Sequence, residues 1–100
     1  MHLIQLFIPA APHAAIDIED IIAMIQREMT ERHGGATSYL NSPAKGFWSS
    51  GEGTEEDTVI VIEVMVNSLD RGWWRQYRRK LEQLLGQEEL LVRALPVETL

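Results

Sequence analysis

TVIVIEVMV, residues Thr58–Val66, combines β-branched and apolar residues with a single charge, Glu63. This composition is typical of a strand, and successive side chains of a strand point to opposite faces of the sheet. One face would carry Ile60, Ile62, Val64 and Val66, and the other would carry Val59, Val61, Glu63 and Met65. The first face is wholly aliphatic, so we expect it to pack against helices, whereas the second face is mixed.

Five further segments surround this strand in the sequence. They are a strand at His2–Ile8, a helix between Asp17 and Gly34, a strand at Ala36–Asn41, a helix between Asp70 and Gly86, and a last strand at Glu89–Leu95. Each helical segment repeats its apolar residues at intervals of three and four, with aspartate before it and glycine after it. Between the second and third strands we expect a break at Ser42–Gly46 and a loop at Ser49–Glu56, with Phe47 and Trp48 available for further pairing.

The order of elements is strand, helix, strand, strand, helix, strand. This βαββαβ pattern predicts an α+β fold of the ferredoxin-like type, a four-stranded antiparallel sheet with two helices on one face. The whole chain, residues 1–100, would form one domain, because 100 residues are too few for two separate hydrophobic cores.

The composition limits which binding partners and which cellular location we expect for the protein. Nine basic and fifteen acidic residues give a net charge of −6, which argues against nucleic-acid binding. No apolar run approaches the ~20 residues of a membrane span, and the first residues lack the basic start of a secretory signal. With no cysteine we expect a cytoplasmic protein. His2, His13 and His33 lack metal-ligand spacing, so we predict no metal and no cofactor.

The positive charge is concentrated in one of the predicted helices. Residues 71–80 contain five basic residues and no acidic residue, which leaves four basic and fifteen acidic residues, or −11, in the rest of the chain. This segment is either a solvated helix face or a cationic patch for an anion or for an acidic surface on a partner. The second alternative would make the protein an interaction module.

The sheet face turned away from the helices, here called the open face, is predicted to mix apolar and polar residues. Its apolar members would be Leu3, Phe7, Val59, Val61, Met65, Leu91 and Leu95, and its polar members Gln5, Tyr39, Glu63 and Arg93. Monomers rarely leave a large apolar patch in contact with water. We therefore expect a homodimer in which the two open faces pack together.

Glu63 interrupts an otherwise apolar run, and a buried carboxylate is costly unless it is paired or protonated. Three interpretations are open. Glu63 could be satisfied by Arg93 or by a hydrogen bond with Tyr39; it could be a general acid or base in a cleft; or it could lie at a rim exposed to water.

A catalytic Glu63 would need a substrate site around it. Tyr39 and Arg93 would orient a small, partly apolar substrate, and the ligand would contact Gln5, Phe7 and Met65. Trp48 lies in the segment Ser42–Trp48, which is either a lid that closes over this site or a hairpin packed on its own sheet.

Several short motifs carry a family resemblance. These motifs resemble a bacterial family of short uncharacterised proteins, and the resemblance covers nearly the whole chain. They are HGGAT at residues 33–37, PAKGFW at 43–48, EVMV at 63–66, WW at 73–74 and YR at 77–78. The architecture is also similar to that of the dimeric α/β-barrel superfamily, which includes small monooxygenases and isomerases. That similarity implies dimerisation through the open face and, as an alternative function, a small enzyme.

Overall fold

A computed structural model describes the backbone of residues 1–38, 44–50 and 53–100, and the side chains of residues 1–38 and 58–100. The elements are β1 (His2–Pro9), α1 (Ile18–His33), β2 (Thr37–Ser38), β3 (Ala44–Ser50), β4 (Gly53–Val66), α2 (Arg71–Leu85) and β5 (Val92–Pro96). The strands form one antiparallel sheet in the order β2-β4-β1-β5, and β3 also pairs with β4. The fold is α+β with an open antiparallel sheet and two helices, which is consistent with the predicted ferredoxin-like architecture.

The two central strands, β1 and β4, divide their side chains between the faces as expected. Ile4, Leu6 and Ile8 of β1 lie opposite Val64, Ile62 and Ile60 of β4 in the antiparallel register. All six are buried in one core with the apolar stripes of both helices. The intervening residues form the open face, so the alternation in Thr58–Val66 correctly predicted which side of the sheet meets the helices.

Both helices begin and end where the sequence indicated. The Asp17 side chain accepts a hydrogen bond from the Glu19 amide at 3.0 Å, and the Asp70 side chain accepts one from the Trp73 amide at 3.1 Å. Each helix ends at a glycine with positive φ, +86° at Gly34 and +66° at Gly86. Glycine adopts this left-handed conformation without a steric penalty, which explains the residue type at both positions.

The hairpin of β3 and β4 is longer than the sequence predicted. The expected break at Ser42–Gly46 and loop at Ser49–Glu56 are wrong for most of their length, because Ala44–Ser50 pairs antiparallel with residues 53–59. Glycine, serine and glutamate in this region are typical of loops. The ladder is formed by backbone groups, however, and β4 is already ordered by its pairing with β1, so the ladder continues through residues of low strand propensity.

The last strand starts later than predicted, at Val92 instead of Glu89. The Leu90 amide donates a hydrogen bond to the Glu82 carboxylate at 2.9 Å, which ties this residue to α2. The Leu90 side chain is buried in the core below the helices. In the described parts of the chain, no helix has the length and apolarity that crossing a membrane requires.

Candidate functional site

Three polar side chains form a row across the open face. Gln5 of β1 lies directly opposite Glu63 of β4 on one side and Arg93 of β5 on the other. Gln5 Nε2 donates to Glu63 Oε2 at 2.8 Å, and Arg93 Nε donates to Gln5 Oε1 at 2.7 Å. The Arg93 guanidinium also lies 5.0 Å from the centre of the Phe7 ring, a cation–π distance.

This row differs from the direct Glu63–Arg93 pair that the sequence suggested. Because β1 lies between β4 and β5, the backbones of the two charged residues are about 10 Å apart, twice the spacing of neighbouring strands. Gln5 bridges that distance, because its amide nitrogen donates to Glu63 and its amide oxygen accepts from Arg93. Because both the oxygen and the nitrogen of the Gln5 amide are engaged, the row fixes the orientation of that amide, and its nitrogen is directed at the Glu63 carboxylate.

A shallow cleft of about 410 Å³, open to solvent over much of its surface, lies beside Glu63 where α1 leads into β2. Thr37 of β2 is paired with Glu63, which places both residues at the same level of the sheet. The cleft is lined by the end of α1 and the start of β2 on one side and by β4 on the other: His33, Gly34, Gly35, Ala36, Thr37, Glu63 and Met65.

His33 connects this cleft to an aromatic cluster between the helices. Its ring stacks on Trp74 with centroids 5.4 Å apart, and it meets Trp73 edge-on at 5.7 Å. Burial, and secondarily the charge of Arg32, lower the pKa of His33 below its usual range. The imidazole is therefore neutral at neutral pH and adds no positive charge to the cleft.

Arg32 and Trp73 form the outer side of the aromatic cluster. The Arg32 guanidinium lies 4.2 Å from the Trp73 ring centre and 4.0 Å from the Asp70 carboxylate. Trp74 is only 6% exposed, whereas Trp73 is half-buried. The arginine side chain therefore covers the more exposed of the two tryptophans.

A second group of polar residues lies between the two helices. Lys80 is 2.9 Å from the Glu28 carboxylate, and the Tyr77 ring packs below them. Burial and the nearby Glu28 carboxylate raise the pKa of Tyr77. Tyr77 thus stays neutral over the physiological range, and its role here is in packing.

The structure brings together some of the sequence-predicted site residues and separates others. Gln5, Glu63 and Arg93 form the polar row, Phe7 lies under Arg93, and Met65 lies in the cleft together with Glu63. Tyr39 and the side chain of Trp48 lie outside the described residues. Whether the segment Ser42–Trp48 is a lid or a hairpin packed on its own sheet therefore stays a prediction.

Sequence reasoning missed His33 and Thr37 as neighbours of Glu63. A signal for His33 was present, since it lies four residues after Met29 and continues the buried stripe of α1. Thr37 could be found only from the β2–β4 register. Among the residues whose side chains are described, no three His, Cys, Asp or Glu groups cluster in a way that could hold a metal ion.

Comparison with known proteins gives the fold class and little beyond it. No family model and no curated protein sequence matches the chain. Among solved structures, a phage SAM lyase in its apo state is similar, with a TM-score of 0.58 and 14% sequence identity over 94% of this chain and 78% of the lyase chain. At this identity the similarity shows a shared fold alone. The resemblance to a bacterial family therefore stays a prediction.

Proposed function

We propose that this chain acts as a homodimer in which the two open faces pack against each other. The observation that carries the proposal is the exposure of Met65, Leu91 and Leu95, which are 43%, 54% and 38% accessible on or beside the sheet face opposite the helices. Exposed apolar residues that gather on one face of a sheet favour an interaction site there. A two-fold dimer is the commonest way to cover one, with the sheets about 10 Å apart.

The polar row makes the open face complementary to itself. Its positive end is Arg93 and its negative end is Glu63, with Gln5 of the central strand between them. A two-fold axis parallel to β1 would bring Arg93 opposite Glu63 of the partner subunit, whereas an axis across the strands would oppose like charges. The row therefore supports a dimer of one orientation, because like charges in a desolvated interface are strongly unfavourable.

The mass in solution tests this proposal. We expect light scattering at micromolar concentration to give twice the 11.4 kDa of the single chain. A monomer would overturn the proposal, and so would a trimer, because three identical faces cannot all pack face to face in pairs.

A second candidate function, binding of a small organic cation, is favoured by the cleft beside Glu63. Glu63 supplies a carboxylate, and the carboxyl-terminal end of α1 at His33 and Gly34 supplies the negative end of a helix dipole. His33 is neutral at neutral pH because its pKa is lowered. The carboxylate and the helix terminus favour a positively charged ligand over an anion, and the neutral His33 ring adds no opposing charge.

The structural neighbour suggests one cation to test. The substrate in the name of the lyase, S-adenosylmethionine (SAM), carries a sulfonium charge, while its demethylated product S-adenosylhomocysteine is neutral at sulfur. We expect SAM to bind at least about tenfold more tightly than the neutral analogue, which corresponds to ~1.4 kcal/mol. Glu63→Gln should remove this preference, and Glu98→Gln, at an exposed carboxylate near the C-terminus, should leave it intact.

Calorimetry with the two ligands and the two variants tests whether the cleft binds a cation through Glu63. Equal affinity for both ligands would contradict a cation site, as would an equal effect of the two substitutions.

In an enzyme built on this site, Glu63 would serve as the acid or base, Tyr39 and Arg93 would orient the substrate, and Trp48 would close over it. Arg93 would act through Gln5, because the two are joined by a 2.7 Å hydrogen bond.

A further inference from the structure

Three arginines form a line on the exposed side of α2. Arg71, Arg75 and Arg79 are spaced four residues apart and are all exposed; we call them the arginine stripe. The other basic residues of the segment have partners, because Arg78 lies 3.8 Å from Glu82 and Lys80 lies 2.9 Å from Glu28. Among the residues with described side chains, none forms an ion pair or hydrogen bond with the stripe.

The stripe works against the stability of its own helix. Like charges four residues apart destabilise a helix by roughly 0.2–0.5 kcal/mol per pair. Arg71 also lies at the start of α2, where the helix dipole disfavours positive charge. The carboxylate at this end, on the N-cap residue Asp70, accepts from the Trp73 amide and lies 4.0 Å from Arg32. These electrostatic effects oppose folding, so the stripe is better suited to a negatively charged partner than to stabilising α2.

We propose that the arginine stripe binds an extended acidic segment of another protein, with carboxylates at alternate positions. Four residues of a helix rise about 6 Å, and two residues of an extended chain advance about 6.6 Å. Three carboxylates at alternate positions would thus meet three arginines along the stripe. Arginine suits this role because its planar guanidinium binds carboxylates through two parallel hydrogen bonds.

The surroundings of the stripe favour a protein partner over other polyanions. Outside residues 71–80 the chain carries −11, which repels a long nucleic acid beyond the contact. Aromatic stacking of bases is also disfavoured, since Trp74 is buried and Arg32 lies over Trp73. The exposed residues between the arginines include Gly72 and Gln76, which offer nothing apolar for insertion into a membrane.

The direct test is fluorescence anisotropy with a labelled peptide that alternates glutamate and serine. We expect binding by the full chain that weakens as salt rises. The double variant Arg75→Gln/Arg79→Gln should bind at least about tenfold less tightly. The control Arg27→Gln/Lys80→Gln removes the same charge outside the stripe and should change affinity less than about threefold.

Two further probes separate the proposal from general charge attraction. A peptide with the same number of glutamates at every third position should bind more weakly, because its carboxylates fall out of register with the arginines. Equal effects of the two double variants would overturn the proposal. So would tighter binding of a DNA duplex or of anionic phosphatidylserine vesicles than of the alternating peptide, or no peptide binding at low salt.

Discussion

Replacing Leu95 with aspartate is expected to convert the proposed dimer into a folded monomer. Leu95 is 38% exposed and pairs with Leu3 near the edge of the open face. In a face-to-face dimer the new carboxylate would be enclosed by apolar side chains, and an unpaired buried carboxylate costs several kcal/mol. Because each ~1.4 kcal/mol changes an association constant tenfold, we expect at least about a 100-fold weaker dimer.

The matched control is Leu100→Asp, which makes the same chemical change at a fully exposed residue outside the sheet. Sedimentation equilibrium should show a monomer for Leu95→Asp and a dimer for Leu100→Asp. Thermal unfolding followed by circular dichroism should show that both variants fold. A Leu95→Asp protein that folds and remains as fully dimeric as the control would place the interface elsewhere on the molecule.

The open face could be predicted from sequence because it depends on local alternation. Within Thr58–Val66 the side-chain period is two, so one wholly aliphatic set, Ile60 to Val66, identifies the buried face without knowledge of the neighbours. The helix ends were equally local, since Asp17 and Gly34 act on backbone groups within one turn. For such features the residues that cause the structure are contiguous in the sequence.

The polar row and the cleft depend instead on which strands are neighbours. Gln5 and Glu63 are 58 residues apart, and Gln5 and Arg93 are 88 apart. Predicting that Gln5 bridges two charges requires the register of both strand pairs, and a shift of one residue would turn Gln5 to the core. Likewise, His33 meets Trp73 and Trp74 only because α1 and α2 lie side by side.

Replacing Gly86 with alanine is expected to destabilise the fold more than the same change at Gly34. Both glycines end a helix with positive φ, +66° and +86°, so each substitution incurs the left-handed penalty of roughly 1–2 kcal/mol. At Gly34 an added Cβ would meet nothing within 4 Å, whereas at Gly86 it would lie 2.9 Å from the Ala14 amide nitrogen and 3.2 Å from the Ala14 Cβ.

The Ala14 backbone cannot yield easily, because its amide donates a 3.0 Å hydrogen bond to the Leu85 carbonyl and thereby joins the β1–α1 connection to the end of α2. Overpacking of this kind lowers the free energy of unfolding by roughly a further 1–3 kcal/mol. Urea denaturation should therefore give a free energy of unfolding for Gly86→Ala that is lower than for Gly34→Ala by at least about 1 kcal/mol. Equal values for the two variants would mean that the connection moves aside, and that its contact with Gly86 does not fix the end of α2.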